Sequence, residues 1–153
     1  MKLKLPVFPT LLVLFSFSAW AAKAPVGKEE LKKTATHIFT GEVVDVQSKE
    51  TKSKIEKGLG IHTDRIYTIK IKIASVKKGK GVAVGDEIIV EAWRPAKRIP
   101  PEPGLQGHES IPKKGGHVTI FVKEVNGKKF KPILPNGIEI LEEPQKPATA
   151  KNE

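Results

Sequence analysis

The sequence predicts a mainly β protein, built as a small antiparallel β-barrel of five or six strands with one short helix at the start. Apolar and polar residues alternate over several short stretches after residue 37, and glycine-containing turns separate them. The chain is long enough for one hydrophobic core. A β-sandwich is the alternative, but so few strands would bury little on each of two sheets, and this favours a closed barrel.

The first 21 residues are typical of an export signal. Lys2 and Lys4 precede a mostly apolar run, which ends in Ala19-Trp20-Ala21, a small-x-small cleavage pattern. The run is shorter than the ~20 apolar residues of a spanning helix. We therefore predict a signal peptide (1–21), a single barrel domain (22–141) without a transmembrane segment, a disordered polar tail (142–153), and a periplasmic or extracellular protein.

The first elements after the signal are a helix and two strands. Residues 28–35 carry two glutamates near the start, at 29 and 30, and lysines further along, at 32 and 33, an order that complements the helix dipole. Residues 38–46 are rich in β-branched side chains, and Gly41 fits a bulge. Residues 67–73 alternate most clearly, with Tyr67 and three isoleucines on one face and polar side chains on the other.

Four further strands follow, over residues 87–93, 117–125, 130–134 and 138–141. Asn126-Gly127 lies between the second and third of these strands, and this dipeptide is a strong hairpin signal. Phe121 does not fit the inward alternation of its strand. We expect it to pack against the helix or the tail.

Two connections are long enough to carry a function. Residues 47–64 and 94–116 both exceed the ~12 to 15 residues beyond which a loop without secondary structure is usually functional or disordered. A binding site is therefore expected on these two loops.

The order of elements resembles the netrin-like, TIMP-like version of the OB barrel. The resemblance covers residues 36–141 and is carried by the segment Thr-His-Ile-Phe-Thr-Gly-Glu-Val-Val at 36–44, by the strand at 67–73 and by the strand Lys-Gly-Gly-His-Val-Thr-Ile-Phe-Val at 114–122. The chain is also similar to small exported bacterial proteins that lack cysteine. The animal inhibitors of this family bind a protease zinc through an N-terminal cysteine, and that mechanism cannot apply to a chain without cysteine.

The surplus of basic residues suggests an anionic ligand. Lys and Arg number 27 against 17 Asp and Glu, which gives a net charge of +10. Nucleic acid is disfavoured, because the protein is predicted to be exported and few aromatic residues are free to stack on bases. We predict a monomeric, non-enzymatic binding module for an anionic ligand or for an envelope or extracellular protein. The candidate binding residues are Lys52, Lys54, Lys57, Trp93, Arg94, Lys97, Arg98, Lys113 and Lys114.

A metal-dependent enzyme or metal-binding protein is the alternative function. Histidines and one carboxylate in or beside the long loops offer ligands for a divalent metal, namely His62, His108, Glu109 and His117. No HExxH spacing supports this site, and no serine lies in a G-x-S-x-G motif. The absence of cysteine excludes disulfides, thiol catalysis and thiolate metal sites. Binding is therefore favoured over catalysis, and no cofactor or catalytic residue is predicted.

Overall fold

The fold is given by a computed structural model, which describes residues 24–101, 103–104, 106–126 and 129–141. The predicted signal peptide, the hairpin residue Gly127 and the predicted tail at 142–153 lie outside the described residues. Within these ranges the chain forms, in order, α1 (Lys28–Thr34), β1 (His37–Lys52), β2 (Ile61–Lys78), β3 (Glu87–Ile99), β4 (His117–Asn126), β5 (Lys129–Pro132) and β6 (Ile138–Leu141).

Five of the strands close into a barrel, as the sequence predicts. Their order is β1-β2-β3-β5-β4, and β4 pairs back onto β1. The pairings are antiparallel except for a short parallel contact between β3 and β5, where Ile89 and Val90 lie opposite Lys129 and Phe130. Strand β6 is an additional strand that pairs with β4. The closed barrel replaces the alternative of two packed sheets.

The barrel interior is filled by the alternating apolar residues. In β2, Ile69, Ile71 and Ile73 are buried, and the lysines between them are exposed. Gly41 lies at a register shift in β1, as predicted for a bulge. The buried core consists of Phe39, Val43, Ile69, Ile71, Ile73, Ile88, Val90, Ala92, Val118, Ile120, Val122, Phe130 and Ile138.

The helix packs outside the barrel, over β1 and β4. Its one buried residue, Leu31, joins Ala35, Ile38 and Phe121 in a second apolar cluster. Phe121 therefore points away from the barrel interior and packs against the helix, as expected from its position in the alternation. No helix in the described part of the chain is long and apolar enough to cross a lipid bilayer.

The prediction of two structureless loops over 47–64 and 94–116 is wrong in extent. Residues 47–52 of β1 pair with residues 63–68 of β2, and β3 continues to Ile99 beside them. The connections are therefore 53–60 and 100–116. The paired segment at 47–68, called the arm below, extends past the last core residues of β1. The β1 part of the arm, residues 47–52, is polar on both faces, so its sequence carries no apolar alternation that would predict a strand.

Candidate functional site

A cleft of about 440 Å³ lies between the arm and the neighbouring strands β3 and β5. Its apolar residues are Ile55 and Ile66 from the arm, Trp93 from β3, and Pro132 and Leu134 from the end of β5 and the turn after it. Ile66 and Trp93 are register partners, which places their side chains side by side. Ligand sites in proteins typically have volumes of ~300 to 1,000 Å³ and mostly apolar walls, so this cleft has the dimensions of a small-ligand site.

Cationic side chains surround the apolar part of the cleft. Lys49, Lys52 and Lys54 come from the arm, and Lys131 comes from β5. Lys131 Nζ lies 3.8 Å from Oε1 of Glu91, a residue that also lines the cleft. The three arm lysines take part in no ion pair among the described residues. The rim of the cleft therefore carries uncompensated positive charge.

His108 connects one wall of the cleft to the barrel. The backbone N–H of Trp93 donates to His108 Nδ1 at 3.1 Å, and Nε2 lies 3.3 Å from the carbonyl oxygen of Pro132. Nδ1 also lies 3.2 Å from the Trp93 carbonyl oxygen, so both ring nitrogens have backbone partners. Burial lowers the pKa of His108 below its usual 6.5, and the nearby positive charge of Arg94 lowers it further. The hydrogen bonds to the Trp93 and Pro132 backbones act in the opposite direction and raise the pKa, but burial is the largest effect. His108 is thus a neutral bridge between the 100–116 connection, β3 and β5.

A buried ion pair fixes the arm. Arg98 Nη2 lies 2.5 Å from Asp64 Oδ1, and these side chains are only 8% and 4% exposed. The Ser53 hydroxyl donates to Asp64 Oδ2 at 2.7 Å, and Arg98 Nη1 donates to the Thr63 carbonyl at 2.6 Å. Arg98 Nε also donates to Gln106 Oε1 at 3.0 Å, which ties the 100–116 connection to the same network. Asp64 lines the cleft, so this network lies directly behind the candidate site.

The structure divides the nine predicted binding residues into three groups. Lys52, Lys54 and Trp93 line the cleft. Arg94 and Arg98 have structural partners instead, since Arg94 donates to the backbone carbonyls of His108 and Glu109 and Arg98 belongs to the buried ion pair. The remaining four are exposed and do not line the cleft: Lys57 in the 53–60 turn, Lys97 on β3, and Lys113 and Lys114 before β4.

The four predicted metal ligands do not form one cluster. His62 is buried in the arm with Nε2 3.3 Å from the Leu59 carbonyl, and His108 bridges the cleft wall. Glu109 and His117 are exposed. Among the residues that the structure describes, no three His, Asp or Glu side chains are placed to hold a metal ion.

Ten residues that line the cleft were not among the predicted binding residues, namely Lys49, Thr51, Ile55, Asp64, Ile66, Glu91, His108, Lys131, Pro132 and Leu134. Four of them, Lys49, Thr51, Ile55 and Asp64, lie within residues 47–64, which were expected to form an irregular loop. Lys131 and Leu134 approach the arm only because β5 lies beside β3, a pairing between distant parts of the chain.

Comparisons with known protein families, with curated proteins and with solved structures find no match to this chain.

Proposed function

We propose that the protein is an exported, monomeric, non-enzymatic binding module whose cleft takes an anionic ligand with a flat or ring-shaped body. The observation that carries this proposal is the position of Trp93 between apolar neighbours, beside arm lysines without ion-pair partners in the described chain. An indole offers a broad apolar face, and unpaired lysines attract carboxylate or sulfate groups. A carboxylated or sulfated oligosaccharide combines both features.

The strand order supports assigning the barrel to the OB type. OB barrels are five-stranded, and they bind oligosaccharides and oligonucleotides on the face of their second and third strands and on the loop between the first two. The cleft lies on the corresponding part of this barrel, because Ile66 and Trp93 belong to β2 and β3 and Ile55 belongs to the β1–β2 turn. The netrin-like version of this barrel remains a prediction, as does export to the periplasm or the medium.

The test is a titration followed by tryptophan fluorescence. The chain has two tryptophans, Trp20 and Trp93, so a Trp20→Phe background leaves a single reporter inside the cleft. Sulfated oligosaccharides from heparin are expected to change the Trp93 emission in a saturable way that weakens with added salt, whereas neutral malto-oligosaccharides of equal length are not.

Two pairs of substitutions locate the binding site. Lys52→Ala with Lys54→Ala removes two cations from the cleft, and we expect about tenfold weaker binding if each rim lysine contributes ~0.5 to 1 kcal/mol. Lys113→Ala with Lys114→Ala removes the same charge outside the cleft and should change the affinity less than about twofold. Equal losses from both pairs would show that the protein attracts anions over its whole surface, and the cleft proposal would then be wrong.

A further inference from the structure

The turn between β1 and β2 displays apolar side chains at the end of the arm. Four large aliphatic residues are exposed there, with Leu59 96% accessible, Ile61 51%, Ile99 47% and Ile55 44%. Ile61 and Ile99 are register partners at the ends of β2 and β3, so they lie next to each other. Ile55 also lines the cleft, so the other three residues, Leu59, Ile61 and Ile99, are called the tip patch below. Clustered aliphatic exposure at a polar-rimmed surface marks an interaction site more often than scattered exposure does.

The turn is held in a defined shape that keeps Leu59 outside. The Ser53 hydroxyl accepts hydrogen bonds from the backbone N–H groups of Ile55 and Glu56, at 3.2 and 3.0 Å. The Glu56 carboxylate accepts from the N–H of Gly58 at 3.0 Å. Gly60 has a φ of +131°, and a Cβ at this position would overlap the Ile99 carbonyl oxygen. These contacts stabilise the turn from within, without burying the Leu59 side chain.

Lysines surround the tip patch. Lys54, Lys57 and Lys97 are exposed, and among the described residues none of them pairs with a carboxylate. Residues 47–65 and 94–101 together carry eight Lys or Arg against three Asp or Glu. One of these acids, Asp64, is buried against Arg98, and another, Glu50, lies 3.7 Å from Arg65. The end of the arm therefore combines exposed aliphatic side chains with an excess of positive charge.

We propose that the tip patch docks on an anionic lipid bilayer. Leu59, Ile61 and Ile99 enter the interfacial layer, while Lys57 and Lys97 lie at the level of the phosphates. Lysine stems cover apolar surface while the ammonium groups stay at the polar level, and each basic residue near an anionic membrane adds attraction. A protein partner would instead need an apolar pocket with an acidic rim. This docking does not depend on a ligand in the cleft, because Leu59, Lys57 and Lys97 do not line it.

The test uses a label at one position of the full chain, which has no cysteine of its own. A Leu59→Cys variant carries an environment-sensitive NBD fluorophore on its single thiol. Val84→Cys is the matched control, because Val84 is also an exposed aliphatic residue, 67% accessible, in the β2–β3 turn at the opposite end of β2. Vesicles are made of phosphatidylcholine with or without phosphatidylglycerol. A label at residue 59 reports the environment of the tip even if the predicted signal segment also binds lipid.

We expect the label at residue 59 to shift to shorter wavelength and gain intensity with the anionic vesicles, and the label at residue 84 to stay unchanged. Adding Lys57→Ala and Lys97→Ala should raise the lipid concentration at half-saturation about 25-fold, from ~5-fold for each basic residue. An unchanged signal at residue 59 would overturn the proposal. So would an equal response at residue 84, or a response at residue 59 that appears only when a protein extract is added.

Discussion

Replacing Arg98 with methionine is expected to lower the free energy of unfolding by about 3 to 5 kcal/mol. The guanidinium group lies 2.5 Å from Asp64 Oδ1, and both side chains are almost fully buried. Without Arg98, the Asp64 carboxylate keeps the Ser53 hydroxyl as its donor, and the Thr63 carbonyl and Gln106 Oε1 each lose a donated hydrogen bond. A buried charge without its counterion is costly because the protein interior solvates it poorly.

Arg65 provides the control substitution with which the effect of Arg98→Met is compared. Arg65 Nη2 lies 3.7 Å from Glu50 Oε2, and these side chains are 50% and 47% exposed. Water screens such a pair, and its loss typically costs ~0 to 1 kcal/mol. Arg65→Met therefore makes the same chemical change in the arm that Arg98 contacts, without the buried charge.

The assay is urea unfolding at neutral pH in the Trp20→Phe background, followed by far-ultraviolet circular dichroism for the barrel and by Trp93 fluorescence for the arm and cleft. Small domains have unfolding free energies of ~5 to 15 kcal/mol, so a loss of 3 to 5 kcal/mol moves the midpoint far to lower urea. If Arg98→Met and Arg65→Met differ by less than about 0.5 kcal/mol, the assigned role of the buried ion pair is wrong.

Two further substitutions test the cleft wall and the barrel. Burial lowers the pKa of His108 below its usual 6.5, so the unfolded chain binds the proton more readily. The contribution of His108 to the free energy of unfolding should therefore be complete above about pH 6.5 and be lost as the pH falls towards the folded-state pKa, with a slope of at most ~1.4 kcal/mol per pH unit. His108→Gln should remove this contribution, and an unchanged pH profile in urea titrations would contradict it. Gly41→Ala should cost about 2 to 3 kcal/mol, because its Cβ would overlap the Lys72 carbonyl oxygen. Gly27→Ala, which meets no atom within 4 Å at a φ of −61°, should leave the free energy of unfolding unchanged or raise it by less than about 1 kcal/mol, because alanine restricts the unfolded chain. Equal losses at both positions would show that the overlap with the Lys72 carbonyl oxygen does not explain the effect of Gly41→Ala.

The barrel could be predicted from the sequence because its strands bury one face. Ile69, Ile71 and Ile73 alternate with polar residues that remain exposed, and this period of two identifies both the strand and its inward side. Phe121 was recognisable as an exception for the same reason, since its position in the alternation points it outward, where the helix covers it. Local patterns were sufficient wherever burial follows the alternation.

The arm could not be predicted in the same way. Its outer residues are stabilised by pairing between strands and by the contact of Asp64 with Arg98, which is 34 residues away in sequence. Neither the strand pairing nor the ion pair produces a recognisable pattern within a short stretch of sequence. The sequence therefore predicts Lys52 and Lys54 as binding residues of an irregular loop and omits Lys49, whereas the paired arm places all three on the rim of one cleft.

A charged pair of Asp64 and Arg98, rather than an apolar pair, suits an arm that carries two surfaces, the rim of the cleft and the tip patch. Buried ion pairs usually contribute little net stability compared with apolar residues of the same volume, because both charges lose their water. An apolar pair at positions 64 and 98, however, would be compatible with many orientations of the arm, because the arm has no hydrophobic core of its own. Arg98 instead fixes direction, since it contacts Asp64, the Thr63 carbonyl and Gln106 at once. This network holds the arm in one orientation, with the cleft lysines on one side and the tip patch at its end. On this reasoning, Arg98→Met should weaken ligand binding at urea concentrations too low to unfold the barrel.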